Sequence, residues 1–208
     1  MKERPAPPRP SSTRFALLGV LAMNGGQNGY QLRAAIERSV GFFWSESFGQ
    51  IYPQLDAMAA DGLVEPVASH SSRTVRRRRI TAQGRSALRR WLEAPPLPRT
   101  ARDELLLKLF FGRFAAPETC RNLIAQARAS AEQRLAQLRE AERQVLAEAD
   151  TDLAYSLIAI DLGLRAVQAT LAWVKDAESL LAASEGGSEA QIKHAWRALD
   201  DARHGPGR

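Results

Sequence analysis

The sequence predicts a mainly α chain with one small β element, and three observations carry that reading. Apolar residues recur at helical spacing over most of the 208 positions. Only two short stretches between residues 63 and 80 read as extended, with a polar loop between them. The stiff run Pro95-Pro96-Leu97-Pro98 then separates these elements from a second half in which every pattern is helical. Charge divides at the same place. Residues 1–100 hold 15 Lys and Arg against 7 Asp and Glu, and residues 101–208 hold 14 against 16. A basic half joined to a near-neutral half predicts that one part meets a polyanion and the other does something else.

Taken in order, residues 1–12 carry four prolines and no apolar period, which predicts a disordered arm. Thr13 can cap a first helix through Phe15, Leu17, Leu18, Leu21 and Ala22, stopped by Asn24-Gly25-Gly26. A second begins at Asn28, periodic in Tyr30, Leu32, Ala35 and Ile36, and ends before Gly41. A third runs from about Ser47 to Ala60 and closes at Asp61-Gly62, where glycine can take the left-handed conformation. Residues 63–68 and 74–80 are the two extended segments. Thr81 can cap a fourth helix reaching Leu92.

Residues 13–93 thus form one expected domain and 94–101 a linker. A helical domain spans 102–184: one helix from Arg102 to Phe114, one starting at Pro117 and reaching Ala149, and one from Thr151 to Ala183. Residues 185–208 form a tail with a short amphipathic candidate at Ile192, Ala195, Trp196 and Leu199.

Three helices, two strands and a helix within ~80 residues is the order of a winged helix-turn-helix, in which the third helix enters the major groove of a duplex. At 100° per residue, Phe48, Ile51, Leu55, Met58 and Ala59 fall on a core flank of that helix. Glu46, Gly49, Gln50, Pro53, Gln54 and Ala57 fall on the other. That outer flank is small or amide-bearing, and glutamine can bond adenine N6 and N7 as a pair. Gln50 has a second reading, because Ser47-x-x-Gln50 is also a capping box. Tyr52 sits between the flanks and suits either a phosphate or the packing. Pro53 is expected within about the first turn, where it is tolerated. The second basic feature is Arg73 followed by Arg76, Arg77, Arg78 and Arg79. In a strand these alternate between faces, and both faces must stay solvated or paired. A nucleic-acid backbone suits such a cluster.

The same residues carry a resemblance. Gly29-Tyr30, Phe43-Trp44, the run S-x-G-Q-I-Y-P-x-L from Ser47 to Leu55, Asp61-Gly62-Leu63-Val64, and Arg79-Ile80-Thr81 with Gly84 resemble the PadR family of bacterial transcriptional regulators. RDELLLKLFFGRF and the long helices after it resemble the helical C-terminal domain of one subgroup. The likeness covers roughly residues 13–184. It departs from the family at Arg77 and Arg78, which stand where tyrosines are common.

The resemblance implies an N-terminal winged helix-turn-helix with a small β-wing plus a helical C-terminal dimerisation domain. It also implies a homodimeric repressor on palindromic double-stranded DNA, with Tyr30, Ser47, Gln50, Tyr52, Gln54, Arg73, Arg76, Arg77 and Arg78 as DNA-contacting residues. Apolar stripes such as Leu105, Leu109, Leu123, Leu135 and Leu138 fit association with a second copy, though such stripes also make ordinary core. A small aromatic or amphipathic effector is a further expectation, with Trp91, Phe110, Phe111 and Trp173 either lining its pocket or packing as core. Two other readings stay open: a non-specific architectural DNA binder, and a winged helix used for protein contacts.

Enzymatic motifs are missing: no G-x-S-x-G, P-loop, H-E-x-x-H or glycine-rich dinucleotide turn occurs. No metal or cofactor is expected. The lone Cys120, near a helix start, fits an inert thiol better than a nucleophile, and it excludes an internal disulfide. The longest unbroken apolar run, Phe15–Met23, is too short to span a bilayer. No membrane association is expected, and the cytoplasm is the default compartment.

Overall fold

The computed structural model describes residues 12–41, 44, 48–67, 77–97, 103–147, 153–185 and 187–205. The chain divides into two compact units, Met1–Pro98 and Arg99–Arg208. The arm expected over residues 1–12 lies outside the described residues except for Ser12.

In the first unit α1 (Ser12–Asn24), α2 (Gly29–Ser39) and α3 (Phe48–Ala60) precede β1 (Val64–Pro66), β2 (Arg78–Ile80) and α4 (Ala82–Glu93). Helix α1 is apolar on nearly every face, so it is the one that others surround. Leu17, Leu18 and Leu21 are wholly buried against Leu32 and Ile36 of α2, Ile51, Leu55 and Met58 of α3, and Leu63, Val64 and Ile80 around the strands. Each such side chain contributes roughly 1.5–3 kcal/mol by burial. Asn28 caps α2 reciprocally: its side chain accepts from the Gln31 amide at 2.8 Å, and Gln31 accepts from the Asn28 amide at 3.1 Å.

β1 and β2 pair antiparallel, Val64 opposite Ile80, Glu65 opposite Arg79 and Pro66 opposite Arg78. Gln27, in the turn between α1 and α2, pairs with the other edge of β2. Its N–H donates to the Arg78 carbonyl at 2.9 Å and its carbonyl accepts from the Arg78 N–H at 2.7 Å. The wing is therefore pinned to the helix-turn-helix through the outer edge of β2. Residues 68–76 lie outside the described residues.

The second unit holds α5 (Glu104–Phe110), a 3-10 turn (Gly112–Phe114), α6 (Pro117–Ala147), α7 (Leu153–Ser184) and α8 (Glu189–His204). The single helix expected over 102–114 is thus broken. At Phe111 the N–H is shared between the Leu107 and Leu109 carbonyls, and the chain tightens into the 3-10 turn. Helices α6 and α7 form a long antiparallel hairpin, with Arg128 bonded to Glu178 and Arg121 to Glu185. Their buried seams step by sevens, Ile124, Ala131 and Leu138 against Ile160, Val167 and Val174, the repeat that keeps two helices in register along a seam. Helix α7 is long and apolar enough to cross a membrane by length and composition, with a mean hydropathy of 1.5 over its most apolar 18 residues. A search for unbroken apolar runs misses it because Asp161 and Arg165 interrupt the pattern. Four of its apolar residues pack inward, while Tyr155, Ile158 and Leu162 stay exposed.

The Arg128 hydrogen bond holds the Glu178 carboxyl below its ordinary value, against a smaller opposing effect of desolvation. Glu104 is lowered likewise by Lys108. A depressed carboxylate contributes fully above the unfolded pKa, about 4.3, and its contribution disappears as pH falls through the lower folded value. Glu178→Gln is therefore expected to flatten the fall in stability between about pH 5 and 3, read from thermal melts at stepped pH. An unchanged slope would remove this pair from the acid response.

α8 is longer than the four-residue stripe predicts. Ser188 and Gln191 form a reciprocal cap hidden behind the glycines, with the Ser188 N–H donating to Gln191 Oε1 at 2.6 Å. Arg203 then ties the far end to Asp176 of α7 through Nε (3.1 Å) and Nη2 (2.9 Å).

Candidate nucleic-acid interface

The core flank of α3 is Ile51, Leu55 and Met58, as its periodicity requires. Gly49, Tyr52, Pro53, Asp56 and Ala57 are exposed and Gln54 is half-buried. Pro53 is the sixth helical residue, one turn later than expected. Its missing N–H leaves the Gly49 carbonyl without an i+4 donor, which is tolerable because Gly49 faces outward.

Tyr52 is 58% exposed, yet its ring lies directly over Gly29. A Cβ at Gly29 would sit 2.4 Å from that ring. The glycine therefore admits the tyrosine, and the contact joins the first turn of α2 to the second turn of α3. Tyr30, beside it, is 75% exposed. Tyr30, Tyr52 and Gln54 are thus three described members of the predicted set on the helix-turn-helix. Gln50 lies within α3, but its side chain is outside the described residues, as are Ser47, Arg73 and Arg76.

Arg77 and Arg78 are placed differently from a free cationic patch. Arg77 donates to the Gly26 carbonyl through Nη2 at 2.6 Å and Nε at 3.1 Å. Arg78 Nη2 donates to Asp56 Oδ1 at 3.2 Å, and Arg79 Nε to Glu65 Oε1 at 2.7 Å. The requirement that both faces be solvated or paired is met by pairing. Sequence reasoning missed Asp56, whose partner lies 22 residues away. The available signal was that Asp56 is the one acidic residue of α3.

The four aromatic residues expected at an effector site are divided between the two units. Trp91 belongs to the first unit, where it stacks on Phe15 at 4.8 Å between ring centroids. It lines a groove of about 870 Å³ with Leu63, Ala87 and Leu92, rimmed by Arg14 and Arg90. Phe110, the last residue of α5, and Phe111 just after it meet edge to face and are both exposed. Trp173 is half-buried on α7. Cys120 is a buried free thiol. Among the described residues no group of three or more His, Cys, Asp or Glu is placed to hold a metal ion.

Residues 17–90 match the transcriptional regulator PadR-like family, and residues 101–182 match the family described as virulence activator alpha C-term. The negative transcriptional regulator PadR of Bacillus subtilis is 30% identical over 101 residues, 47% of this chain and 55% of that protein. The match thus spans about half the length of that curated relative. Among solved structures, the Vibrio cholerae virulence activator AphA is similar with a TM-score of 0.69 and 27% identity, over 82% of this chain and 98% of that one. Bacillus subtilis PadR is similar in two complexes, each over 83% of this chain and 98% of that one. The complex with operator DNA has a TM-score of 0.66 at 23% identity, and that with p-coumaric acid 0.65 at 25%. The element order, the wing and the two matched segments together give the chain a PadR-like transcriptional-regulator domain over residues 17–90, followed by a domain of the virulence activator alpha C-term family over residues 101–182.

Proposed function

We propose that this chain is a homodimeric repressor whose α3 enters the major groove of a palindromic operator. The observation that carries the reading is the exposed flank of α3. It presents Tyr52, seated over Gly29 and so beside Tyr30, with Gln54 half-buried at its edge, on a basic unit with a wing fixed alongside. Bacillus subtilis PadR, solved with operator DNA, supports it. A second copy is the natural cover for the apolar surface of the C-terminal unit, where Leu106, Leu107, Phe110 and Phe114 of the α5 region are exposed together with Tyr155, Ile158 and Leu162 of α7. Two copies related by a twofold axis would reach successive major grooves ~34–36 Å apart. In this reading the protein works in the cytoplasm by binding and not by catalysis.

A small effector belongs to the same proposal. The groove at Trp91 joins a stacked aromatic floor to two guanidinium groups, Arg14 held by Asp61 and Arg90 bonded to Ser86. That combination suits a flat aromatic anion, and Bacillus subtilis PadR has been solved with p-coumaric acid.

Selection from a random duplex library by the full-length protein tests both parts. A selected, palindromic duplex is expected to bind at least ~10³-fold more tightly than random duplex at physiological salt. p-Coumarate is expected to quench tryptophan fluorescence and weaken the selected complex, both effects being lost in Trp91→Ala. Equal affinity for selected and random duplexes would favour an architectural DNA binder. No shift on any duplex would favour a protein-contact role.

A further inference from the structure

On the outer side of α3 a carboxylate occupies a place where it should hinder DNA binding. Asp56 lies one turn after Tyr52 and two turns after Gly49, so the three share one strip of the helix. It is the only acidic residue of α3, and its side chain is 67% exposed. A bare carboxylate on a surface that meets phosphates is repelled by them.

Its partner is buried more deeply. The Arg78 side chain is only 15% exposed, and its Nη2 donates to Asp56 Oδ1. Arg78 cannot shift easily along the strand, because its backbone is pinned on one side opposite Pro66 and on the other to Gln27. The guanidinium and the carboxylate therefore meet at a fixed junction between wing and third helix.

We propose that Asp56 is a specificity-determining residue that holds Arg78 off the DNA backbone and so keeps sequence-independent affinity low. The inference rests on the DNA-binding reading above. A phosphate contact adds equally to every duplex, right or wrong. Sequestering one wing arginine removes such a contact from all of them, and leaves discrimination to the α3 side chains that reach base edges. Arg77 and Arg79, bonded to Gly26 and Glu65, are engaged by groups that do not lie on α3. Among the described wing arginines only Arg78 is tied to the third helix itself.

The test compares the parent, Asp56→Asn, Arg78→Gln and the double variant on random 30-base-pair duplex and on the duplex selected from the library. Circular dichroism melts confirm that each is folded. Asp56→Asn is expected to tighten binding to random duplex about fivefold at 0.15 M salt and to steepen the slope of log affinity against log salt by ~0.9, one phosphate contact. The ratio of selected to random affinity is expected to fall. Arg78→Gln alone is expected to leave the parent's salt slope unchanged, and the double variant to return to it.

Three results would overturn the inference while leaving the DNA-binding reading intact. Asp56→Asn could bind random duplex as the parent does. Arg78→Gln alone could flatten the slope by ~0.9, showing that Arg78 already meets phosphate. The double variant could keep the full gain, assigning it to loss of the Asp56 charge alone. A parent that binds neither duplex at any salt would overturn both the reading and the inference.

Discussion

Gly84→Ala is expected to destabilise the N-terminal unit by about 2 kcal/mol, within the ~1–3 kcal/mol that overpacking costs. Helix propensity alone argues for the opposite sign, since alanine is favoured over glycine inside a helix by roughly 0.8–1 kcal/mol. Packing decides it. A Cβ at Gly84 would lie 2.2 Å from the Leu63 carbonyl oxygen and 2.8 Å from Ile80 Cγ1. Neither neighbour can withdraw freely. The Leu63 carbonyl accepts from the Thr81 N–H at 3.0 Å, and Thr81 Oγ1 both accepts from the Gly84 N–H and donates to the Gly62 carbonyl. Ile80 is buried beside Val64 in the core. Any retreat therefore loosens the start of α4, the β1–β2 pair or the end of the α3 turn. Urea unfolding monitored by tryptophan fluorescence would read the change. Stability equal to or above that of the parent would show that the α4–wing contact is softer than its geometry.

The close approach at Gly84 belongs to a kind of information the sequence carries poorly. The core flank of α3 was legible because burial follows a 3.6-residue period, and Ile51, Leu55 and Met58 obey it. The start of α2 at Asn28 was legible because the signals that begin a helix are local. The pairing of Arg78 with Asp56 and of Arg77 with the Gly26 carbonyl was not. Both join residues far apart in sequence, brought together only when Gln27 adds its edge to β2. A run of arginines read alone predicts a solvated or phosphate-bound patch, since nothing in the string says which carbonyl or carboxylate will be folded against it. The break at Phe111 was hidden for a related reason: LLLKLFF continues the helical pattern, and the 3-10 turn after it is a tertiary adjustment. The effector residues were chosen by aromatic character, which says nothing of position: Trp91 lies in the first unit, and Phe110, Phe111 and Trp173 lie in the second.

Gln54→Ala is expected to weaken binding to the selected duplex by roughly 5–150-fold for each half-site, the ~1–3 kcal/mol of one good amide–base pair, with little change on random duplex. The salt slope should stay where it is, because no phosphate contact is removed. This pattern is the reverse of that expected for Asp56→Asn, which changes the slope and the random-duplex affinity first. Gln54 is half-buried, so truncation also risks loosening α3 against its neighbours. Gln54→Met separates the two effects: it keeps a side chain of similar length and loses the amide. If the amide reads a base, methionine and alanine should lose discrimination alike, with methionine holding the parent's melting temperature. If the side chain only packs, methionine should bind both duplexes like the parent, and alanine should lose affinity for both in proportion to its lost stability. Methionine matching the parent on the selected duplex would move base recognition off Gln54 and onto the remaining outer residues of α3.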